Sequence, residues 1–132
     1  MKKFILDTSV LIRFWRQSRG PSLAETTPAD VRAWAGRLIE LQETDAIVTP
    51  VQLEMVAGVT NRKEMQLTLV FLNQFRIIDE GKISPDDWQN ALRLAKRVPP
   101  DARPRSLGDC LIRAIANRLK HGVLTFDKGF PG

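Results

Sequence analysis

The sequence predicts an α/β fold, a central parallel β-sheet flanked by helices on both faces. Two observations carry this prediction. Short apolar segments alternate along the chain with longer stretches of helical periodicity. Successive segments are separated by one or two such stretches, and parallel strands joined that way need right-handed crossovers, which lay helices on both faces.

The elements follow in order. Residues 3–6 read as a short buried strand ending at Asp7. From Thr8 to about Gln17, Val10, Leu11, Phe14 and Trp15 share one helical stripe, which Gly20 and Pro21 end. After a loop over 19–27, Thr27-Pro-Ala-Asp30 combines an N-cap, a first-turn proline and a capping-box acid. The helix it opens runs to about Glu43, with Val31, Trp34, Leu38 and Leu41 inward. A second strand spans 46–49, and Thr49-Pro50 caps a short helix that closes at Gly58. Asn61 to about Phe75 is helical, 76–78 is a strand, and Asp79 beside Glu80 and Gly81 reads as an exposed turn. Ser84-Pro-Asp-Asp87 opens a further helix with Trp88, Ala91, Leu92, Ala95 and Val98 inward. Pro99, Pro100 and Pro104 make 99–105 a stiff, charged loop. Ser106-Leu-Gly-Asp109 then caps a helix over 107–120, whose stripe is Ile112, Ile115, Ala116 and Leu119. Residues 123–126 form the last strand, and Asp127 follows it directly.

Composition narrows the function. A chain of 132 residues is expected to form one domain, residues 1–132. Its 43% hydrophobic and 27% charged content is that of a globular protein. No apolar run reaches the roughly 20 residues that span a bilayer. The basic-apolar opening is broken by Asp7 and Arg13 and lacks a small-residue cleavage site, so no signal peptide is expected. The single cysteine, Cys110, excludes an internal disulfide and reads as a small buried thiol. A cytoplasmic location is expected. The net charge of +5 lies wholly in residues 96–132, since residues 1–95 carry 12 basic and 12 acidic side chains. Such a basic segment suits a polyanion, and equally a solubilising surface.

Four acids meet at one edge of the predicted sheet. Ligands of such sheets bind beyond the carboxyl ends of the strands. Asp7 and Asp127 directly follow strands, while Glu54 and Asp109 sit in the first turns of helices that start at that edge. Crowded carboxylates repel unless a cation holds them. Oxygen ligands without a His or Cys cluster suit Mg²⁺ or Mn²⁺. Each acid also has a simpler reading. Asp7 and Asp109 could cap their helices, and Asp127 could be a turn residue. Glu54, one of only two polar residues in Pro50–Gly58, is costly to bury alone.

Asp7-Thr-Ser-Val-Leu-Ile, Leu53-Glu-Met-Val-Ala-Gly58, Ser106-Leu-Gly-Asp109-Cys-Leu-Ile-Arg-Ala-Ile-Ala116 and Leu124-Thr-Phe-Asp127-Lys-Gly-Phe130 together resemble the four signature blocks of PIN domains. The closest likeness is to the VapC-type ribonuclease toxins of prokaryotic toxin–antitoxin pairs. The resemblance implies that Asp7, Glu54, Asp109 and Asp127 bind metal, with Ser9 and Thr125 supplying supporting hydroxyls. It also implies RNA as substrate, a homodimer and a small antitoxin partner. Family members commonly continue past the last block into another strand, so Asp127, near Pro131-Gly132, is expected to be the least anchored of the four.

The expected chemistry is in-line hydrolysis of RNA by metal-activated water, leaving a 5′-phosphate and a 3′-hydroxyl. With His121 the only histidine and no tyrosine present, a paired-histidine or tyrosine-nucleophile route has no residues to use. Arg103 and Arg105 are candidates for the substrate phosphates, whereas Arg113 could contact phosphate or pair with Asp109. Trp15, Trp34 and Trp88 read as packing residues. Two alternatives remain open: a PIN-like RNA-processing nuclease without an antitoxin, and a non-catalytic nucleic-acid-binding module. A haloacid-dehalogenase-like phosphotransferase would need an acid where Ser9 stands.

Overall fold

A computed structural model of the chain describes residues 3–99 and 103–132. Pro100, Asp101 and Ala102, in the middle of the expected proline-rich loop, lie outside them, as do Met1 and Lys2. The order is β1 (Phe4–Leu6), α1 (Thr8–Arg19), α2 (Pro28–Gln42), β2 (Ala46–Ile47), α3 (Thr49–Ala57), α4 (Arg62–Leu72), β3 (Arg76–Ile77), α5 (Pro85–Ala95), α6 (Leu107–Arg118) and β4 (Gly122–Leu124). This is the mixed α/β architecture that the alternation predicts, with shorter strands.

The strands form two parallel ladders. β1 pairs with β4 in the register Phe4↔Gly122, Ile5↔Val123, Leu6↔Leu124. β2 pairs with β3 in the register Ala46↔Arg76, Ile47↔Ile77. β1 and β2 lie side by side without a shared ladder, and the Thr44 hydroxyl bridges them by donating to the Phe4 carbonyl at 2.7 Å. Gly122 is required by close approach, since a Cβ there would fall 2.6 Å from the Phe4 ring. Parallel strands this short are held less by their own hydrogen bonds than by burial. Ile5, Leu6, Ile47 and Val48 are fully buried, packed with Val51 of α3 and Ile112 and Ile115 of α6. Trp15 adds edge-on contacts to Trp34 (5.7 Å) and Phe71 (5.2 Å). Both tryptophans pack as expected.

The capping signals of α2 and α5 become full capping boxes, Thr27 with Asp30 and Ser84 with Asp87. Asn61 caps α4 through the Glu64 amide. Three expectations are corrected. Leu41 is exposed, not inward. On α5 the buried residues are Asp87, Ala91 and Leu94, while Trp88, Leu92 and Val98 stand in solvent and Ala95 is exposed. Asp79 is not an exposed turn residue but buried. It accepts from both the amide (3.1 Å) and the hydroxyl (2.8 Å) of Thr49. The reason is local. The N-cap of α3 is Val48, which has no acceptor, so Asp79 beyond β3 satisfies the orphan donor instead. Among the described residues, no helix is long and apolar enough to cross a membrane.

Candidate active site

Asp7 ends β1 with its amide bonded to the Leu124 carbonyl at 2.9 Å, which ties it to β4. It is the N-cap residue of α1, yet its side chain makes no capping bond. Instead Oδ2 accepts from the Ser9 hydroxyl at 2.8 Å and the Thr125 hydroxyl at 2.7 Å. Oδ1 is buried and has no hydrogen-bond partner. A buried carboxylate oxygen without a donor is costly in water-free surroundings. The capping reading of Asp7 therefore fails.

Asp109 departs from its simple reading in the same way. Ser106 accepts from the Asp109 amide at 3.3 Å, but no reciprocal bond completes a capping box. The Asp109 carboxyl is pushed up to about 7. Burial is the main cause, followed by a hydrogen bond to Asp127 and then the charges of Asp7, Asp127 and Glu54. Asp127 is well held despite its place near Gly132. Its amide donates to the Thr125 hydroxyl at 3.0 Å, and its Oδ1 accepts from the Gly129 amide at 2.9 Å.

Glu54, on α3, is half-buried and accepts from the Thr8 hydroxyl at 2.8 Å. Burial raises its carboxyl above the usual value, the Thr8 bond opposes this, and the Asp7 charge adds to the rise. The surrounding helix is less enclosed than its apolar sequence implies, because Leu53 is exposed. Gly108 matters here. A Cβ at that position would lie 3.0 Å from the Glu54 carboxylate, so glycine at the start of α6 leaves space for that side chain.

The four acids thus sense one another electrostatically. As they stand, however, no group of three or more His, Cys, Asp or Glu side chains among the described residues is arranged to hold an ion. Hydroxyls occupy one oxygen each of Asp7 and Glu54, and burial beside three other acids disfavours the charged form of Asp109. Three features still fit a cation: the unpartnered Asp7 oxygen, the raised Asp109 carboxyl and an all-oxygen donor set.

The arginines separate. Arg113 does not pair with Asp109. It donates to the Pro131 carbonyl at 2.7 Å and lies 5.2 Å from the Phe130 ring centroid, clasping the tail that follows Asp127. Arg105 donates to the carbonyls of Arg97 (3.2 Å) and Gly129 (3.4 Å). Both are held by backbone, so the structure corrects the reading of Arg113 as a pairing partner. Arg103 is exposed beside Gly129 and, with Asp109 and Asp127, lines a small cavity of about 80 Å³. Cys110 is buried, and burial pushes its thiol up. His121 Nδ1 lies 2.8 Å from the Leu119 carbonyl at the end of α6, consistent with a C-terminal role.

Sequence reasoning missed two contributors. The Thr8 hydroxyl on Glu54 was visible as a neighbour of Asp7, but its 46-residue reach to α3 was not. Gly108 was visible only as a glycine beside Asp109. No curated protein matches the chain closely enough to name a relative. The PIN-domain model matches residues 4–131, and on that match the chain belongs to the PIN-domain family.

Proposed function

We propose that the chain is a Mg²⁺- or Mn²⁺-dependent endoribonuclease, the toxin of a toxin–antitoxin pair. In this reading it works in the cytoplasm as a homodimer neutralised by a small antitoxin. PIN domains are generally metal-dependent nucleases, which supports the reaction class. The observation that carries the reading is the rim itself: Asp7 keeps a buried oxygen without a partner while its neighbour Asp109 holds a proton up to about pH 7. Acids whose only role is structural are satisfied by donors.

Asp7, Glu54, Asp109 and Asp127 would hold the ion. Once bound, a divalent ion supplies Lewis-acid activation of water and neutralises charge at the scissile phosphate. The side chains do the rest. Ser9 and Thr125 fix the plane of the Asp7 carboxylate and leave Oδ1 as the ligand atom. Thr8 holds Glu54 Oε1 and leaves the other oxygen. Asp109 releases its proton as ligands assemble, because carboxylates bind metal only when ionised. Arg103, which lines the same small cavity as Asp109 and Asp127, would contact a substrate phosphate there.

Induced expression of the chain and of Asp7→Asn, followed by mapping of cellular RNA ends, tests this. New 5′-phosphate ends are expected with the parent chain alone. Unchanged RNA ends and growth would sink the proposal. Relief of toxicity by the product of a neighbouring short reading frame would separate a toxin from an RNA-processing nuclease.

A further inference from the structure

Phe126 stands at the edge of the rim, between Thr125 and Asp127, with 51% of its surface exposed. Its amide donates to Ser9 Oγ at 3.0 Å, and Ser9 in turn bonds Asp7. The backbone that carries the ring is therefore tied to the acids through two hydrogen bonds. The Arg13 guanidinium lies 4.9 Å from the ring centroid. Arg13 is exposed on α1 and has no carboxylate partner among the described residues. Beside this pair opens a cavity of about 320 Å³, lined by Phe14, Leu38 and the exposed Leu41. That volume lies at the low end of ligand pockets, roughly 300–1,000 Å³.

We propose that Arg13 and Phe126 form a platform that receives one unpaired base of a single-stranded RNA next to the cleavage rim. The proposal rests on the nuclease reading and names a substrate subsite within it. Single-stranded RNA is recognised by stacking of splayed bases on aromatic rings and on guanidinium planes. Here both surfaces occur as one unit, beside a cavity lined by apolar side chains and by Gln17 and Gln42. The cation without an acid partner adds a phosphate contact for the same nucleotide. An apolar protein segment would use Leu38 and Leu41 but would leave the Arg13 charge uncompensated, so the observations favour RNA. Stacking tolerates any base, so the platform sets the position of the cut relative to an unpaired nucleotide more than its sequence. The link from the Phe126 amide through Ser9 to Asp7 keeps the backbone of the platform next to the rim.

The test uses the Asp7→Asn chain, expected to bind RNA without cutting it, and a single-stranded RNA carrying 2-aminopurine. Binding is expected to quench the fluorophore. Adding Phe126→Ala is expected to abolish quenching and weaken binding about tenfold, the scale of one base–aromatic stack, whereas Phe126→Trp restores both. Arg13→Gln is expected to lower the salt slope of binding by about one. Since Phe126 is exposed, circular dichroism should report unchanged folding. Cleavage by the parent chain is measured in parallel. If it cuts RNA while Phe126→Ala binds and quenches as before, the platform fails and the nuclease reading stands. A chain that neither cuts nor binds RNA overturns both. Phe126 covered only by a protein partner, with no quenching of RNA, assigns the groove to that partner and overturns the proposal.

Discussion

Asp79 and Asp87 differ from Asp7 and Asp109 in how their charge is met. Asp79 is buried against the amide and hydroxyl of Thr49. Asp87, fully buried, completes the capping box of α5 and accepts from Arg118 Nε at 2.8 Å. Burial alone would raise the Asp87 carboxyl, but the bonds from Arg118 and Ser84 and the Arg118 charge outweigh it and hold it below the usual range. Asp7 and Asp109 lie among other acids. One keeps an oxygen with no partner, and the other is pushed up to about 7. Acids met by donors hold helices together. At Asp7 and Asp109 the fold's own donors do not fully meet the charge.

The largest expected effect of breaking this contrast is at Asp87. Asp87→Ala removes a capping acid and strands Arg118, which also donates to the Lys82 carbonyl. A fully buried pair broken this way costs about 3–5 kcal/mol. With the Arg118 side chain 34% exposed, the expected loss in urea unfolding is about 2–3 kcal/mol. Asp109→Asn should instead leave stability unchanged or raised, because it removes a carboxylate that its neighbours repel. A comparable loss at both positions would erase the distinction.

Gly108→Ala sharpens the other side of the contrast. The added methyl group meets the Glu54 carboxylate, the mobile end of its side chain. Stability is expected to hold, since alanine is favoured over glycine in helices by up to about 1 kcal/mol. Mn²⁺ affinity should drop about tenfold, the lower end of what supporting residues around a metal cost. Calorimetry of the folded variant checks both.

A further effect is a slope with pH in the metal-free chain. Between the ordinary Asp value of 3.8 and about 7, folded Asp109 keeps a proton that the unfolded chain has lost. Its contribution is thus fully present below about pH 4 and disappears as pH rises through about 7. Glu54, also raised, acts in the same direction. Asp87, lowered, acts oppositely, and its contribution disappears as pH falls below the carboxylate range. Urea midpoints measured across pH 4–8 in chelator should decline less in Asp109→Asn than in the parent chain and keep the full decline in Asp87→Ala.

Much of this was legible in the sequence. Thr27 with Asp30 and Ser84 with Asp87 announced two helix starts, because capping is a local interaction. The positions of Asp7 at the end of β1 and Asp109 in the first turn of α6 followed from how a parallel sheet is connected, whereas Asp127 stands three residues beyond β4 and Glu54 in the second half of α3. The failures share a cause. The stripe of α5 was read from apolar residues, so Trp88 and Leu92 were turned inward, whereas the helix buries Asp87 toward Arg118, 31 residues away. Asp79 looked exposed because the helix that lacks a cap lies 30 residues before it. Arg113 reads as a partner of phosphate or of Asp109, but its Nε donates to the Pro131 carbonyl. Leu41 apart, each error comes from a charged group whose partner is distant in sequence, which periodicity and spacing do not report.

The account stands on whether the rim takes up a divalent cation. Titration calorimetry of Mn²⁺ into the chain, in two buffers of different ionisation enthalpy at pH 6.5, reads binding and proton release together. Binding is expected with release of part of one proton, the one held at Asp109, and is expected to vanish in the Asp7→Asn/Asp109→Asn chain. Absence of binding, or binding with the same affinity in that double variant, would contradict the account.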